Sequence, residues 1–168
     1  MERTRGFSLV EVVIAVGILA VAITGVLALL PLLTRHQTDA SDSLVAQRLS
    51  GAVEAELRRL SHGSSLSGLA SSIKVVGDTN TLTLVARRDG SGVREESVST
   101  LDDAERFFAI ELWQFPSAPL AYEAASGAVL LAQAKVSWPY KQRSQEGDAV
   151  RTDPADRSGI SFTVAISR

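Results

Sequence analysis

Cysteine is absent from the 168-residue chain, and positive charge is not in excess. Without thiols the chain can form neither disulfides nor thiolate metal sites, so packing and hydrogen bonds must stabilise any folded domain. The formal net charge of -2 gives no overall basic surface of the kind that a nucleic-acid backbone needs. We therefore do not expect nucleic acid as a partner.

Charged side chains are also missing from residues 12–33, where Thr24 is the only polar side chain. At about 1.5 Å per residue, this run is long enough to cross a hydrocarbon layer of about 30 Å. Arg3 and Arg5 precede the run, but basic residues also follow it, so the positive-inside signal is weak. We predict one membrane-spanning helix over residues 7–33, with the N-terminus in the cytoplasm and the rest of the chain outside the cytoplasmic (inner) membrane.

A carboxylate lies close to the start of this apolar run. Polar residues 1–6 end at Gly6, Phe7 follows directly, and Glu11 comes four residues later. An ionised Glu in hydrocarbon costs about 2.5–3.5 kcal/mol and normally implies a partner. If the chain is cut between Gly6 and Phe7, the new α-amino group of Phe7 lies one helical turn from Glu11. That ammonium, or the one of a neighbouring subunit, would supply the cation in a medium of low dielectric.

An ordinary secretory signal, with an apolar region of about 7–15 residues, does not fit this pattern. The segment Arg-Gly-Phe-Ser-Leu-Val-Glu-Val instead resembles the class III signal of type IV pilins and type II secretion pseudopilins. The resemblance implies cleavage after Gly6 by a prepilin peptidase, N-methylation of Phe7 and a role for Glu11 in subunit docking. It also implies other pilin or pseudopilin subunits, an inner-membrane assembly platform and membrane lipid as partners.

Two residues of the apolar run bear on its stiffness. Pro31 removes a backbone hydrogen bond, and Gly25 lowers the local helix propensity. We expect a flexible point between them.

The sequence after the apolar run predicts an α+β, pilin-like fold. Residues 34–61 show an amphipathic helical pattern, residues 61–72 are rich in Ser and Gly and predict a loop, and residues 62–168 predict a β-rich head. With the leader 1–6 and the helix 7–33, these are the expected divisions of the chain. The apolar stripe of the amphipathic helix consists of Val45, Leu49, Val53, Leu57 and Leu60.

Alternating and apolar segments in the head predict an antiparallel sheet packed on this helix. A hairpin is expected around residues 77–80, and an exposed loop between residues 140 and 159. The predicted strands are 73–76, 81–88, a weaker 93–99, 106–115, 129–138 and 160–166. The strand, loop and final strand at the C-terminus resemble minor pseudopilins of the I type and minor pilins of the V type.

Few side chains suggest catalysis or metal binding. His36 and His62 are interpreted as solvated or capping residues, and Ser67 stands where a nucleophile elbow requires Gly. The adjacent acids at 95–96 and 102–103 are interpreted as solvated charges rather than an acid/base pair. Acids in the 140–159 region leave a calcium site open, but their spacing fits no EF-hand, and a solubilising loop is favoured. We expect no catalytic residue, metal or cofactor.

These observations predict a minor pilin or pseudopilin, a structural subunit processed by prepilin peptidase and assembled through its N-terminal helix. One alternative is a major pilin that builds the filament shaft. The alternative from another class is a membrane-anchored binding module or enzyme whose helix is an uncleaved anchor.

Overall fold

The computed structural model describes residues 8–75, 81–123, 129–143 and 149–167. The chain divides into two compact units, Met1–Ser41 and Asp42–Arg168, which we call the N-terminal unit and the head. A long helix, α1 (Leu9–Ser64), contributes to both units and is followed by a small, mainly antiparallel sheet. The predicted α+β, pilin-like class is confirmed. The divisions predicted at residues 33 and 61 stay predictions.

Besides its part of α1, the head contains a short helix and strands that form two sheets. Three single 3-10 turns lie at Glu96–Val98, Asp103–Glu105 and Pro154–Asp156. The remaining elements are α2 (Leu66–Ser72), β1 (Lys74–Val75), β2 (Thr83–Ala86), β3 (Arg94–Glu95), β4 (Phe108–Gln114), β5 (Val129–Trp138), β6 (Lys141–Arg143), β7 (Ala149–Arg151) and β8 (Ser158–Ser167).

The larger sheet is centred on β4. Its main strand order is β3-β2-β4-β5-β8, with every neighbouring pair antiparallel. β1 lies off this path and pairs parallel with the C-terminal end of β4. β6 and β7 form a separate two-stranded antiparallel sheet.

The predicted apolar stripe of α1 forms the helical side of the core. Leu49, Val53 and Leu57 are buried, and Val45 and Leu60 are partly buried against the same cluster. These positions recur every three or four residues and therefore share one helix face. The stripe prediction is confirmed. Sheet residues that complete this core include Leu84, Phe108, Ile110, Leu112, Leu130, Ala132, Ala134, Val136, Val164 and Ile166.

A smaller cluster lies on the opposite face of the sheet. Val85 and Ala109 alternate with the residues of the main core along β2 and β4, so their side chains point to the other face. They pack with Leu101 and Tyr140, and all four are buried. The sheet of the head is therefore covered on both faces at this point.

Two buried carboxylates join α1 to the hairpin that β2 and β3 form. Asp42 accepts two hydrogen bonds from Arg88, at 2.9 and 2.8 Å. Glu56 accepts hydrogen bonds from Arg59 on its own helix and, at 2.9 Å, from Arg94 in β3. Because each buried carboxylate has an arginine partner, these pairs fix the β2–β3 hairpin against the helix without leaving a charge uncompensated.

The predicted loop at 61–72 is wrong. α1 continues to Ser64, and α2 begins after Ser65, whose hydroxyl accepts a hydrogen bond from the Gly68 amide. Leu66, Leu69 and Ala70 are buried, at a spacing of three and four residues. Burial of this short apolar face outweighs the low helix propensity of Ser and Gly.

The predicted hairpin around residues 77–80 is also wrong. β1 pairs with β4 rather than with β2, and the residues of the expected turn lie outside the described residues. The weaker strand at 93–99 shortens to β3, which continues into a 3-10 turn. The strand predictions at 106–115, 129–138 and 160–166 are confirmed as β4, β5 and β8.

The region from 140 to 159 is not a single exposed loop. Tyr140 is buried, and β6 and β7 pair around residues 144–148, which lie outside the described residues. The buried ring of Tyr140 lies 4.9 Å from the Arg151 guanidinium and 5.0 Å from that of Arg157. Cation–π contacts therefore hold this charged segment against the smaller cluster.

Candidate functional site

Ser8 and Glu11 form a reciprocal pair at the start of α1. The Ser8 amide donates to Glu11 Oε2 at 3.0 Å, and the Glu11 amide donates to Ser8 Oγ at 3.2 Å. This is the geometry of a capping box, which satisfies two amides that a helix N-terminus leaves unpaired. A carboxylate in the first turn also interacts favourably with the helix dipole. Glu11 therefore has an anchor within its own chain, independent of any terminal amine.

The apolar part of α1 after Glu11 is uncovered. The large side chains from Leu9 to Leu33 whose burial the structure gives are all about half exposed or more. By length and composition, this helix is a candidate membrane span, and none of its most apolar window is buried in the protein. An isolated apolar surface of this size requires lipid or other helices around it.

The hydroxyl groups along this part of α1 bond to their own helix. Thr24 donates to the Ala20 carbonyl at 2.8 Å, and Thr34 donates to the Leu30 carbonyl at 3.0 Å. Such bonds satisfy the hydroxyl proton without a partner from outside. Glu11 is the one ionisable side chain among the described residues 8–34.

Gly25 and Pro31 both lie within the continuous helix α1. A Cβ at Gly25 would meet no atom within 4 Å, so the position is open on the helix surface. Pro31 has no amide proton to donate to the carbonyl one turn earlier. Flexibility at these two residues stays a prediction.

Gly6 and Phe7, the predicted cleavage and methylation positions, lie outside the described residues. The structure therefore brings Glu11 together with Ser8 but does not place it relative to Phe7. Sequence reasoning missed the role of Ser8, although the spacing Ser-x-x-Glu at a helix start is the sequence signature of a capping box.

Side chains beyond the apolar run that suggested other chemistry have structural partners or lie at the surface. His36 and His62 are exposed, and Ser67 is exposed on α2. In the parts of the chain that are described, no three His, Cys, Asp or Glu residues are grouped so that they could hold a metal ion. Of the acids in the 140–159 region, Glu146 and Asp148 lie outside the described residues, and Asp153 accepts a hydrogen bond from the Ala155 amide.

Two of the acids interpreted as solvated charges are engaged in the fold, which corrects that interpretation. Glu96 accepts a hydrogen bond from the Tyr140 hydroxyl. Burial, followed by this contact with Glu96, raises the pKa of Tyr140 to about 12. Asp103 pairs with Lys141 at 2.7 Å and with Arg106 at 3.1 Å. The hydrogen bond from Lys141 lowers the pKa of the Asp103 carboxyl, and both cations favour its charged form.

One family model matches the chain: the prokaryotic N-terminal methylation motif, over residues 1–27. No curated protein and no solved structure matches the chain. The matched residues contain Gly6, Phe7 and the Ser8–Glu11 capping box, and they lead into the uncovered apolar helix. Together the motif and the helix indicate a membrane-anchored protein. The chain carries the N-terminal class III signal of the type IV pilin family, whose members are processed by prepilin peptidase.

Proposed function

We propose that this protein is a minor pilin or pseudopilin, a structural subunit rather than an enzyme. The observation that carries the proposal is the methylation motif at residues 1–27, joined to a helix whose apolar side chains are exposed in the described part of the chain. Lipid covers this helix before assembly, and the helices of other subunits cover it in a pilus-like or type II secretion filament. A small folded head completes the subunit.

Glu11 is the docking residue in this proposal. Prepilin peptidase cuts between Gly6 and Phe7, and methylation leaves a cationic secondary amine on Phe7. The Ser8 amide holds Glu11 Oε2 at the helix start, which leaves the other carboxylate oxygen for a cation. The terminal ammonium of a neighbouring subunit is attracted to that oxygen, and low dielectric strengthens the attraction well beyond its value in water. This pair sets the axial position of one subunit against the next.

The remaining parts of the proposal concern topology and partners. The N-terminus lies in the cytoplasm, the head lies outside the cytoplasmic membrane, and an inner-membrane assembly platform moves the processed subunit into the filament. A minor subunit is present at low copy number relative to a major pilin. Quantifying the chain against the most abundant subunit of the same filament separates the minor role from the shaft-forming one.

Processing is tested by intact mass and N-terminal sequencing of the full chain, expressed with and without a prepilin peptidase. We expect a mature chain that starts at N-methylated Phe7 only when the enzyme is present. Gly6→Ala should keep the full-length mass under both conditions, because the chain then lacks the glycine that precedes the predicted cleavage site. A chain that retains residues 1–6 with an active peptidase would instead support a membrane-anchored binding module or enzyme with an uncleaved helix.

Docking is tested by Glu11→Gln, which keeps the shape of the side chain and removes its charge. We expect normal cleavage but a reduced amount of the mature chain in the filament fraction sheared from cells, because the ammonium of the neighbour loses its partner. Asp39→Asn is the matched control, since Asp39 is an exposed acid on the same helix beyond the apolar run. Equal filament fractions for the two variants would show that the charge of Glu11 has no role in docking.

A further inference from the structure

The last strand of the head is an open edge of the larger sheet. β8 pairs along its whole length with β5, and within the described part of the chain it has no neighbour on its other side. The strand has ten residues and contains no charged residue and no proline. Natural sheets usually protect an edge with charge, proline, a bulge or a very short strand, and β8 has none of these. We call the unpaired side of Ser158–Ser167 the β8 edge.

The core is incompletely covered along this edge. Val164 and Ile166 are buried, but Ile160 and Phe162, which face the same core, are only partly buried. Ser161, Thr163 and Ala165 alternate with them and are exposed. An added strand would give the outward backbone groups of β8 their hydrogen bonds and would extend the apolar cover over Ile160 and Phe162.

The other strands of this chain that have a free side do not match the β8 edge. β3 has two residues, Arg94 and Glu95, both charged, and β1 also has two. β6 and β7 have three residues each and both contain basic side chains. Among the described strands with an open side, only β8 has the length and the lack of charge needed to pair with all ten residues of the β8 edge. Because it carries no charge, two copies can pair without placing like charges opposite one another.

We propose that the β8 edge pairs antiparallel with the β8 edge of a second copy of this chain, about a twofold axis at Thr163. Two antiparallel strands of one sheet place opposite residues on the same face, which restricts the register to even steps. With Thr163 opposite its own copy, Phe162 faces Val164 and Ile160 faces Ile166 on the core side. Aromatic and β-branched pairs of this kind stabilise antiparallel strands.

This contact closes on itself. An isologous interface about a twofold axis uses the same surface on both subunits and does not propagate into a fibre. The β8 edge belongs to the head alone, so this pairing is independent of the proposed filament role. It adds a partner, a second copy of the head, to any contacts that the N-terminal helix makes.

The absence of cysteine makes the register testable by disulfide formation in the full chain in detergent micelles. Opposite Cα atoms in antiparallel strands are about 4.5–5.5 Å apart, within the roughly 4.4–6.8 Å that a disulfide spans. Thr163→Cys should therefore give a disulfide-linked dimer under mild oxidation. Ser161→Cys is the matched control, on the same strand and face, but its two copies would lie about 13 Å apart along the strand. That control should stay monomeric on a denaturing gel.

A second measurement uses the predicted pairing of Ser161 with Ala165. Chains with Ser161→Cys and chains with Ala165→Cys should cross-link to each other when mixed, but neither should cross-link alone. Thr163→Lys should abolish the dimer, because it places two like charges opposite each other, while the fluorescence of the head stays unchanged. Equal cross-linking of Thr163→Cys and Ser161→Cys, or a monomeric Thr163→Cys chain, would overturn the proposal. A monomeric Thr163→Cys chain would indicate that any strand pairing with the β8 edge comes from another protein.

Discussion

Leu44 and Leu49 lie on the same stretch of α1 but in opposite environments. Leu44 is 57% exposed, whereas Leu49 is 1% exposed and packs in the main core of the head. Truncating each to alanine removes the same atoms from the same helix. The difference between Leu49→Ala and Leu44→Ala therefore isolates the contribution of core packing to the stability of the head.

The expected magnitude follows from burial. Leu49→Ala removes three buried carbon groups, Cγ and the two Cδ methyls, and their loss costs about 2.4 kcal/mol at about 0.8 kcal/mol each. The cavity that remains adds to this, and buried Leu→Ala changes cost about 2–5 kcal/mol in total. We expect Leu49→Ala to lower the free energy of unfolding by about 3 kcal/mol. Leu44→Ala should change it by less than about 0.5 kcal/mol, as is usual at exposed positions.

Tryptophan fluorescence during urea unfolding measures this difference on the full chain. The chain has two tryptophans, Trp113 and Trp138, and both lie in the head, so the signal does not depend on the apolar helix. Trp138 is buried in the same core as Leu49. With a slope of about 2 kcal/mol per M urea, the midpoint of Leu49→Ala should fall by about 1.5 M. Equal midpoints for the two variants would refute the packing of α1 on the sheet.

Two further predictions concern the backbone and pH. Gly90 has a φ of +82°, and an added Cβ would lie 3.1 Å from Val45 Cγ1, so Gly90→Ala should destabilise the head by about 1–2 kcal/mol. Gly51→Ala, at an open and exposed helix position, should instead stabilise it by about 0.5–1 kcal/mol, and the same urea assay compares the two. Because folding raises the pKa of Tyr140 from 10.0 to about 12, its contribution to stability is complete below pH 10 and lost as the pH rises to 12. Tyr140→Phe should flatten the fall in thermal midpoint across this interval, and an unchanged slope would contradict the assignment to Tyr140.

Regular periodicity explains the parts of the fold that the sequence predicts correctly. The stripe through Leu49, Val53 and Leu57 has the spacing of a helix face, and residues 160–166 alternate as a half-covered strand must. The bounds predicted for β5 are the observed ones, because the largely aliphatic segment Val129–Trp138 ends directly before Pro139. In each case one local pattern decides both the element and its buried face.

The errors have a common physical origin in contacts between distant segments. β1 is two residues long and is defined by its parallel pairing with Trp113 and Gln114, which no local pattern indicates. Tyr140 and the β6–β7 pair are held by the smaller core cluster and by contacts with arginines. Composition alone made this segment resemble a solvated loop.

The sequence predicts some features of the candidate site and misses others. The motif around Gly6 and Phe7 is matched by the family model, although the geometry of these residues is not described. A carboxylate beside the apolar run is unusual and singles out Glu11 in the sequence, and its role in docking stays a prediction. Its partner in the structure is Ser8, which hydrogen-bonds to it, rather than the cation that the apolar surroundings predict.

The order of the elements has a consequence for biosynthesis. The apolar stripe of α1 is made early, but its cover includes β5 and β8, and β8 ends the described part of the chain. At about 5–20 residues per second, a ribosome needs roughly 5–20 s to add the approximately 100 residues between Leu57 and the last strand. Throughout that interval Leu49, Val53 and Leu57 lack their native neighbours. A nascent or truncated chain that lacks β5 and β8 therefore exposes this apolar helix face, and we expect it to aggregate more readily than the folded head.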